Sequence, residues 1–195
     1  MLSSIHPLGE RARHNRWSVT AASFTIGASA SGAATGFVLG ALGGLIPVQM
    51  STSTMAVALG ALALSAAALD LSGTRPPGPS RQVDERWIGR YRGWVYGVGF
   101  GAQLGTGVAT FVVTWAVWAL LLVELVIGSP IVGAIAGAAF GLGRSIGLLS
   151  AGWIDRPRRL TAFHSAMQRL AGPTHRIAAV ATGCVGLAAV VAGAG

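Results

Sequence analysis

Few side chains in this 195-residue chain could do chemistry, and most of them lie in uncharged surroundings. Gln103, Thr106, Thr110 and Thr114 follow one another through the stretch between Arg92 and Glu124, the three threonines at four-residue intervals. On a helix that interval lines the hydroxyls along one face. Ser29, Ser31 and Thr35 form a comparable group earlier in the chain. Serine and threonine often bond carbonyls of their own helix. An amide in apolar surroundings needs more, so Gln103 either faces a wet cavity, with the threonines as a polar pathway, or bonds a neighbouring helix. Asp70 and Arg144 close two other apolar stretches and can be read as an ion pair or as separate interfacial charges. Glu124 precedes a Gly-Ser-Pro turn and reads as a solvated turn residue or as an acid at a pore mouth.

Catalytic and metal-binding constellations are missing from the sequence. His6, His14, His164 and His175 lack the i, i+4 pairing of a helical metal site, and no GxSxG, HExxH or Walker motif occurs. The glycines of Gly97-Val98-Gly99-Phe100-Gly101 have no preceding strand to make them a phosphate loop. Cys184, the single cysteine, excludes an internal disulfide or a CxxC pair and reads as a small packing residue. These features predict neither an enzyme nor a resident cofactor or metal.

The elements that must carry these residues are set by composition. Apolar residues make up 52 % of the chain and charged residues 10 %, well short of what clothes a soluble domain. Disorder is excluded by the same apolar content. The expected partner is therefore the lipid bilayer. The formal charge of +8 comes entirely from arginine against six acids. Those arginines flank apolar spans, as anionic lipid and topology require, and no nucleic-acid motif accompanies them.

Charge-free stretches and turn signals predict an all-α, polytopic membrane protein with one integral domain over 1–195. Its five spans are expected at about 17–46, 52–71, 94–123, 129–149 and 177–194. Pro47 and Gln49 mark the first turn, and Gly128-Ser129-Pro130 marks another. Two amphipathic stretches, about 81–93 with Val83, Trp87, Tyr91 and Trp94 on one face and about 158–171 with Leu160, Phe163, Met167 and Leu170, suit helices in the head-group layer. The first and third spans exceed the roughly 30 Å of hydrocarbon core and must tilt, project or break. Arg11, Arg13 and Arg16 followed by Ala28-Ser29-Ala30 have the outline of a cleaved signal peptide, but the apolar stretch runs on to Gly44, so a retained first span is expected.

With five spans, the arginine-rich segments all fall on one side. The positive-inside rule makes that side the cytoplasm, with the N-terminus inside and the C-terminus outside an inner membrane. Trp115 and Trp118 then fit an external aromatic belt, and Trp17, Trp87, Tyr91 and Trp94 an inner one.

Two sequence regularities add to this outline. Ser31-Gly32-Ala33-Ala34-Thr35 matches Thr106-Gly107-Val108-Ala109-Thr110, and each precedes a turn, a second span, an Arg-Pro pair and an amphipathic stretch. The order predicts a parallel two-helix repeat. Gly32, Gly36, Gly40 and Gly44 recur every four residues, as do Gly97, Gly101 and Gly105, and again Gly133, Gly137 and Gly141. Such rows let backbones approach closely. They can serve packing within one subunit, a seam between subunits, or sliding of helices.

From Gly97 to Leu149 the chain resembles the helix pair of the CcdA/DsbD-like membrane thiol-electron transporters, within the broader LysE-like exporter group. The resemblance rests on Gly99-Phe100-Gly101-Ala102-Gln103-Leu104-Gly105-Thr106, a long apolar stretch, Gly-Ser-Pro, and Gly137-Ala138-Ala139-Phe140-Gly141-Leu142-Gly143. Those transporters carry reactive cysteines and six helices as two triplets; this chain has no cysteine at the matching places and five expected spans. The resemblance therefore implies a transport-type scaffold without thiol chemistry. The sequence predicts a small transporter or exporter-like protein working as an oligomer. The alternative is a non-transporting scaffold or assembly subunit that receives a membrane-protein partner.

Overall fold

The computed structural model describes residues 5–46, 50–79, 83–84 and 86–195, with the side chains of 171–173 excepted. The described residues are helical, without strands: α1 (Pro7–Ala12), α2 (Trp17–Gly44), α3 (Thr52–Leu71), α4 (Trp87–Arg90), α5 (Gly93–Gly105), α6 (Trp115–Ile127), α7 (Pro130–Leu149) continued by a 3-10 turn (Ser150–Trp153), and α8 (Pro157–Ala194). The turn expected at Pro47 and Gln49 lies outside the described residues. Four segments are long and apolar enough to cross a membrane: Trp17–Gly44, Thr52–Leu71, Pro130–Trp153 and Thr174–Ala194. Trp115–Ile127 is apolar but shorter. The architecture is compatible with a helical, multi-pass membrane protein.

Local chemistry sets the helix ends. Ser51 caps α3, its hydroxyl accepting from the Thr54 N–H at 3.1 Å. Ser129 caps α7 through the Val132 N–H at 3.4 Å, and Pro130 at the first helical position needs no donor partner. Gly128 takes the left-handed conformation, φ 63°, that ends α6 and lets the chain reverse into α7.

The central helix α2 is flanked by α5 and α7. Glycine is what allows this. A Cβ on Gly32 would lie 2.1 Å from the Gly137 carbonyl oxygen, and one on Gly36 2.0 Å from that of Gly133. Gly40 meets Ser129, and Gly141 meets Ala28, so α7 runs antiparallel to α2 with their backbones in contact. On the other side Gly97, Gly101 and Gly105 meet Thr20, Phe24 and Ala28, so α5 runs parallel to α2. Gly44 packs beside Gly128. These rows are therefore occupied within the chain. Dispersion and Cα–H···O contacts act there in place of a hydrophobic driving force.

A second pair, α3 and α8, packs antiparallel, with Gly60 against Gly186 and Ser53 beside Gly193. Helix α6 touches both α2 and α3 and joins the two groups. Ile5, Phe24, Ile88, Tyr96, Phe100 and Leu148 build the apolar core at the arginine-rich end, with Trp17, Trp87 and Leu104 against it.

Three expectations change here. The third span, 94–123, is not one helix: α5 stops at Gly105 and α6 starts at Trp115. Gly107 takes φ 78°, a left-handed conformation that ends a helix, and Thr114 is extended and caps the next one. The span at 177–194 and the amphipathic stretch at 158–171 are one helix, α8, of 38 residues. The stretch at 81–93 yields only the four-residue α4, with 81, 82 and 85 outside the described residues. Val83 and Ile88 there enter the core instead of facing outward, while Tyr91 and Trp94 stay exposed.

The matched pentapeptides also part ways. Ser31–Thr35 is helical in α2, whereas Thr106–Thr110 lies in the break.

Candidate functional site

The interruption between α5 and α6 holds the three threonines singled out in the sequence, and Asp70 meets it from α3. Thr106 closes α5; its hydroxyl donates to the Gln103 carbonyl at 3.0 Å and accepts from the Ala109 N–H at 3.2 Å. Thr110 is buried within the break. Thr114 opens α6, its hydroxyl accepting from the Ala116 N–H at 3.2 Å. The three threonines thus do not share a helix face, because the helix that would align them is absent. Gln103 donates to the Gly99 carbonyl of its own helix at 3.3 Å instead of reaching across an interface.

Asp70 organises the break from another helix. It sits at the end of α3, 3 % exposed. Its carboxylate accepts from the Thr114 hydroxyl and, at 2.8 Å, from the Trp115 N–H. A carboxylate at a helix N-terminus satisfies otherwise orphaned donors and complements the helix dipole. His175 of α8 places Nε2 3.7 Å from the same carboxylate. Three helices that are far apart in sequence meet at this one acid.

The ion pair with Arg144 does not form. Asp70 is held by Thr114, Trp115 and His175, and Arg144 places its guanidinium over the Phe140 ring, 5.5 Å from the centroid. The N–H donors at the start of α6 offer Asp70 a desolvated partner that a long arginine on a different helix does not displace.

The indole N–H groups of Trp115 and Trp118 donate to the Thr74 and Pro77 carbonyls, each at 2.9 Å. They clamp the Arg75 loop onto α6. They lie beside the Arg75 segment at the level of the break, not in a belt among the arginine-free turns. Beside this clamp a cavity of about 260 Å³ is lined by Gly73, Thr74, Arg75, Pro76, Phe111, Val112, Val113 and His175. Its walls carry both cationic and polar groups, and the non-helical backbone of the break forms one side.

One polar grouping has no counterpart among the residues singled out in the sequence. Glu10 is fully buried and accepts from Arg13 at 2.6 Å, from Thr20 at 2.9 Å and from the Tyr96 hydroxyl at 2.5 Å. Asn15 donates to the Tyr96 oxygen at 3.4 Å. This knot ties α1 to α2 and α5. Its only sequence signal is the i, i+3 spacing of Glu10 and Arg13. Next to it, His6 caps α1, with Nδ1 accepting from the Gly9 N–H at 3.2 Å. Burial, and then the nearby Arg13 guanidinium, lower the His6 pKa from 6.5, against a smaller opposing effect of Glu10.

Glu124 departs from both readings of it in the sequence. It is neither solvated nor at a mouth: it is 2 % exposed, and both carboxyl oxygens lack a hydrogen-bond partner. Cys184 is exposed on α8, not packed inside. No group of three or more metal-ligating side chains occurs among the described residues.

No protein-family model, curated protein or solved structure matches this chain.

Proposed function

We propose that this chain is a small multi-pass membrane transporter whose solute site is the Asp70-capped break between α5 and α6. The observation that carries this reading is the break itself. Irregular backbone at membrane depth is tolerated only where protein buries it or where it lines a cavity, and discontinuous helices form solute sites in secondary transporters. Gly105 packs against Ala28 and Leu125 against Gly43, so α5 and α6 together follow α2 along most of its length. From Ala28 to Gly44 is 16 residues, or about 24 Å of helix. A hydrocarbon slab of about 30 Å measured from the arginine-free end therefore includes the break.

The arginines support an orientation with the α2 start and the Arg75 and Arg156 segments in the cytoplasm and the end of α8 outside. The stretch that resembles the CcdA/DsbD-like helix pair comprises most of α5, the break, α6 and α7, and the same transport reading rests on it. Since the glycine rows are filled within the chain, a homo-oligomer would use the remaining apolar surfaces, such as Ile131 and Ile135 of α7.

A second reading, a scaffold subunit, is favoured by the amino-terminal half of α8, which is exposed over most of 157–170. Flux separates the two. Protein reconstituted in liposomes, screened with labelled cations, amino acids and small organic anions, is expected to move at least one of them, and Asp70→Asn is expected to slow that flux at least tenfold. A folded protein that moves none, and that leaves native membranes with a stoichiometric unrelated partner, would replace the transporter by the scaffold.

A further inference from the structure

Glu124 lies in the middle of the α2–α6–α7 junction, on the side of α6 that faces the glycine crossing. A Cβ added to Gly36 would stand 3.0 Å from Oε1 of Glu124 and 2.0 Å from the Gly133 carbonyl oxygen. The carboxyl thus occupies a space that exists only because residues 36 and 133 are glycine. Both of its oxygens are buried without a partner. Among the described residues, no other titratable side chain shares its surroundings. Helix α2 carries none from Trp17 to Gly44, α3 carries only Asp70, α6 only Glu124, and α7 only Arg144. Asp70 is engaged at the far end of α6, nine residues away from Glu124 by its contact with Trp115. Arg144 is eleven residues along α7 from Gly133, about 16 Å of helix.

An ionised carboxylate without partners in such a place costs far more than a neutral acid, which needs only modest compensation. Structural packing gives no reason for an acid here: a leucine or glutamine would fill the same space. Acids inside membrane spans mark ion pathways and proton relays, and one without a partner is held in its protonated form by the cost of burying its charge. Leu125, the residue after Glu124, lines a cleft with Gly43, Met55 and Gly128 at the arginine-free end of α2.

We propose that Glu124 is a membrane-embedded proton-binding site that loads and releases one proton. The site stands apart from the solute site at Asp70, and the proposal holds whether or not solute flux is found.

The probe is dicyclohexylcarbodiimide, an apolar reagent that reaches acids inside the bilayer. The carboxyl O–H adds across one C=N bond: oxygen bonds the central carbon and the proton passes to nitrogen. Migration of the acyl group from oxygen to nitrogen then leaves a stable acylurea, with no leaving group. Full-length protein in phosphatidylcholine vesicles is labelled between about pH 6 and pH 9 and mapped by peptide mass spectrometry. The expected result is one reagent mass on the peptide containing Glu124, at a rate that falls at least tenfold across that range, because each pH unit changes the proton occupancy of a titrating acid up to tenfold. Glu124→Gln, which keeps the shape, should lose this adduct, and a water-soluble carbodiimide should label the exposed Asp155 in preference to Glu124. Absence of the adduct in folded wild-type protein, or a rate that falls less than tenfold, would overturn the proposal. The wild-type mapping decides the matter even where the variant does not fold.

Discussion

At the residue scale, three acids that look alike in sequence have three different settings. Asp70 caps a neighbouring helix, Glu10 is saturated with donors, and Glu124 has none. Removing a helix-capping acceptor costs about 1–2 kcal/mol, so Asp70→Ala is expected to lower the unfolding free energy by about that much and to fray the start of α6. Amide hydrogen exchange at Trp115 and Ala116 reads this directly; unchanged protection there would show that Asp70 does not hold the helix. Glu10→Ala leaves the Tyr96 and Thr20 hydroxyls without their acceptor, at about 1–3 kcal/mol for a stranded buried group. His6 offers a pH test. Its pKa is lowered in the folded protein, first by burial and then by Arg13, with Glu10 opposing and His164 of α8 adding a further lowering. The folded state therefore binds the proton less well than the unfolded one. The contribution of His6 is fully present above about pH 6.5 and is lost as pH falls through its folded value. Protection of the Gly9 amide should fall on acidification in wild type and stay flat in His6→Asn, which caps without titrating.

At the element scale the central fact is how close the backbones come. Gly137→Val would put its Cβ 2.0 Å from the Gly32 carbonyl oxygen, a fixed backbone atom with no room to give. Overpacking typically costs about 1–3 kcal/mol, and rigid backbone on both sides places this case at or above the upper end. Gly143 of α7 is the contrast: a Cβ there meets nothing within 4 Å. Gly143→Ala should raise stability by about 0.5–1 kcal/mol through helix propensity alone. Denaturant unfolding in detergent checks both, and similar effects of the two changes would mean that α2 and α7 do not touch at these glycines.

Legibility differs by element for the same physical reasons. The Ser51 and Ser129 caps, and the loss of charge after Arg16, mark the ends of α2, α3 and α7 in the sequence. The α5–α6 break was hidden because Gly107 and Thr114 sit among apolar residues that read equally well as one span. Hydropathy records burial and is silent on the sign of φ. Signals for the break do exist in the sequence: a Gly-Thr-Gly triplet at 105–107 and a threonine directly before the Trp115–Ile127 run. The three-way meeting at Asp70 is a tertiary contact, and no spacing along the chain encodes it.

At the scale of the whole molecule, an α2–α5–α7 bundle and an α3–α8 hairpin are joined through α6, and the break lies at their junction. The proposed function requires this break to be a wetted cavity at membrane depth and not a lipid-facing loop. Cysteine accessibility tests it most directly. In a Cys184→Ser background, single cysteines replace Val113 in the break and Ile135 on the outer face of α7, both more than half exposed. Protein in sealed vesicles is treated with a small charged thiol reagent. Val113→Cys is expected to react at least tenfold faster than Ile135→Cys, and a fluorophore attached there to report an aqueous environment. Equal, slow reaction at the two positions would contradict it, since the break would then be as dry as the lipid-facing surface.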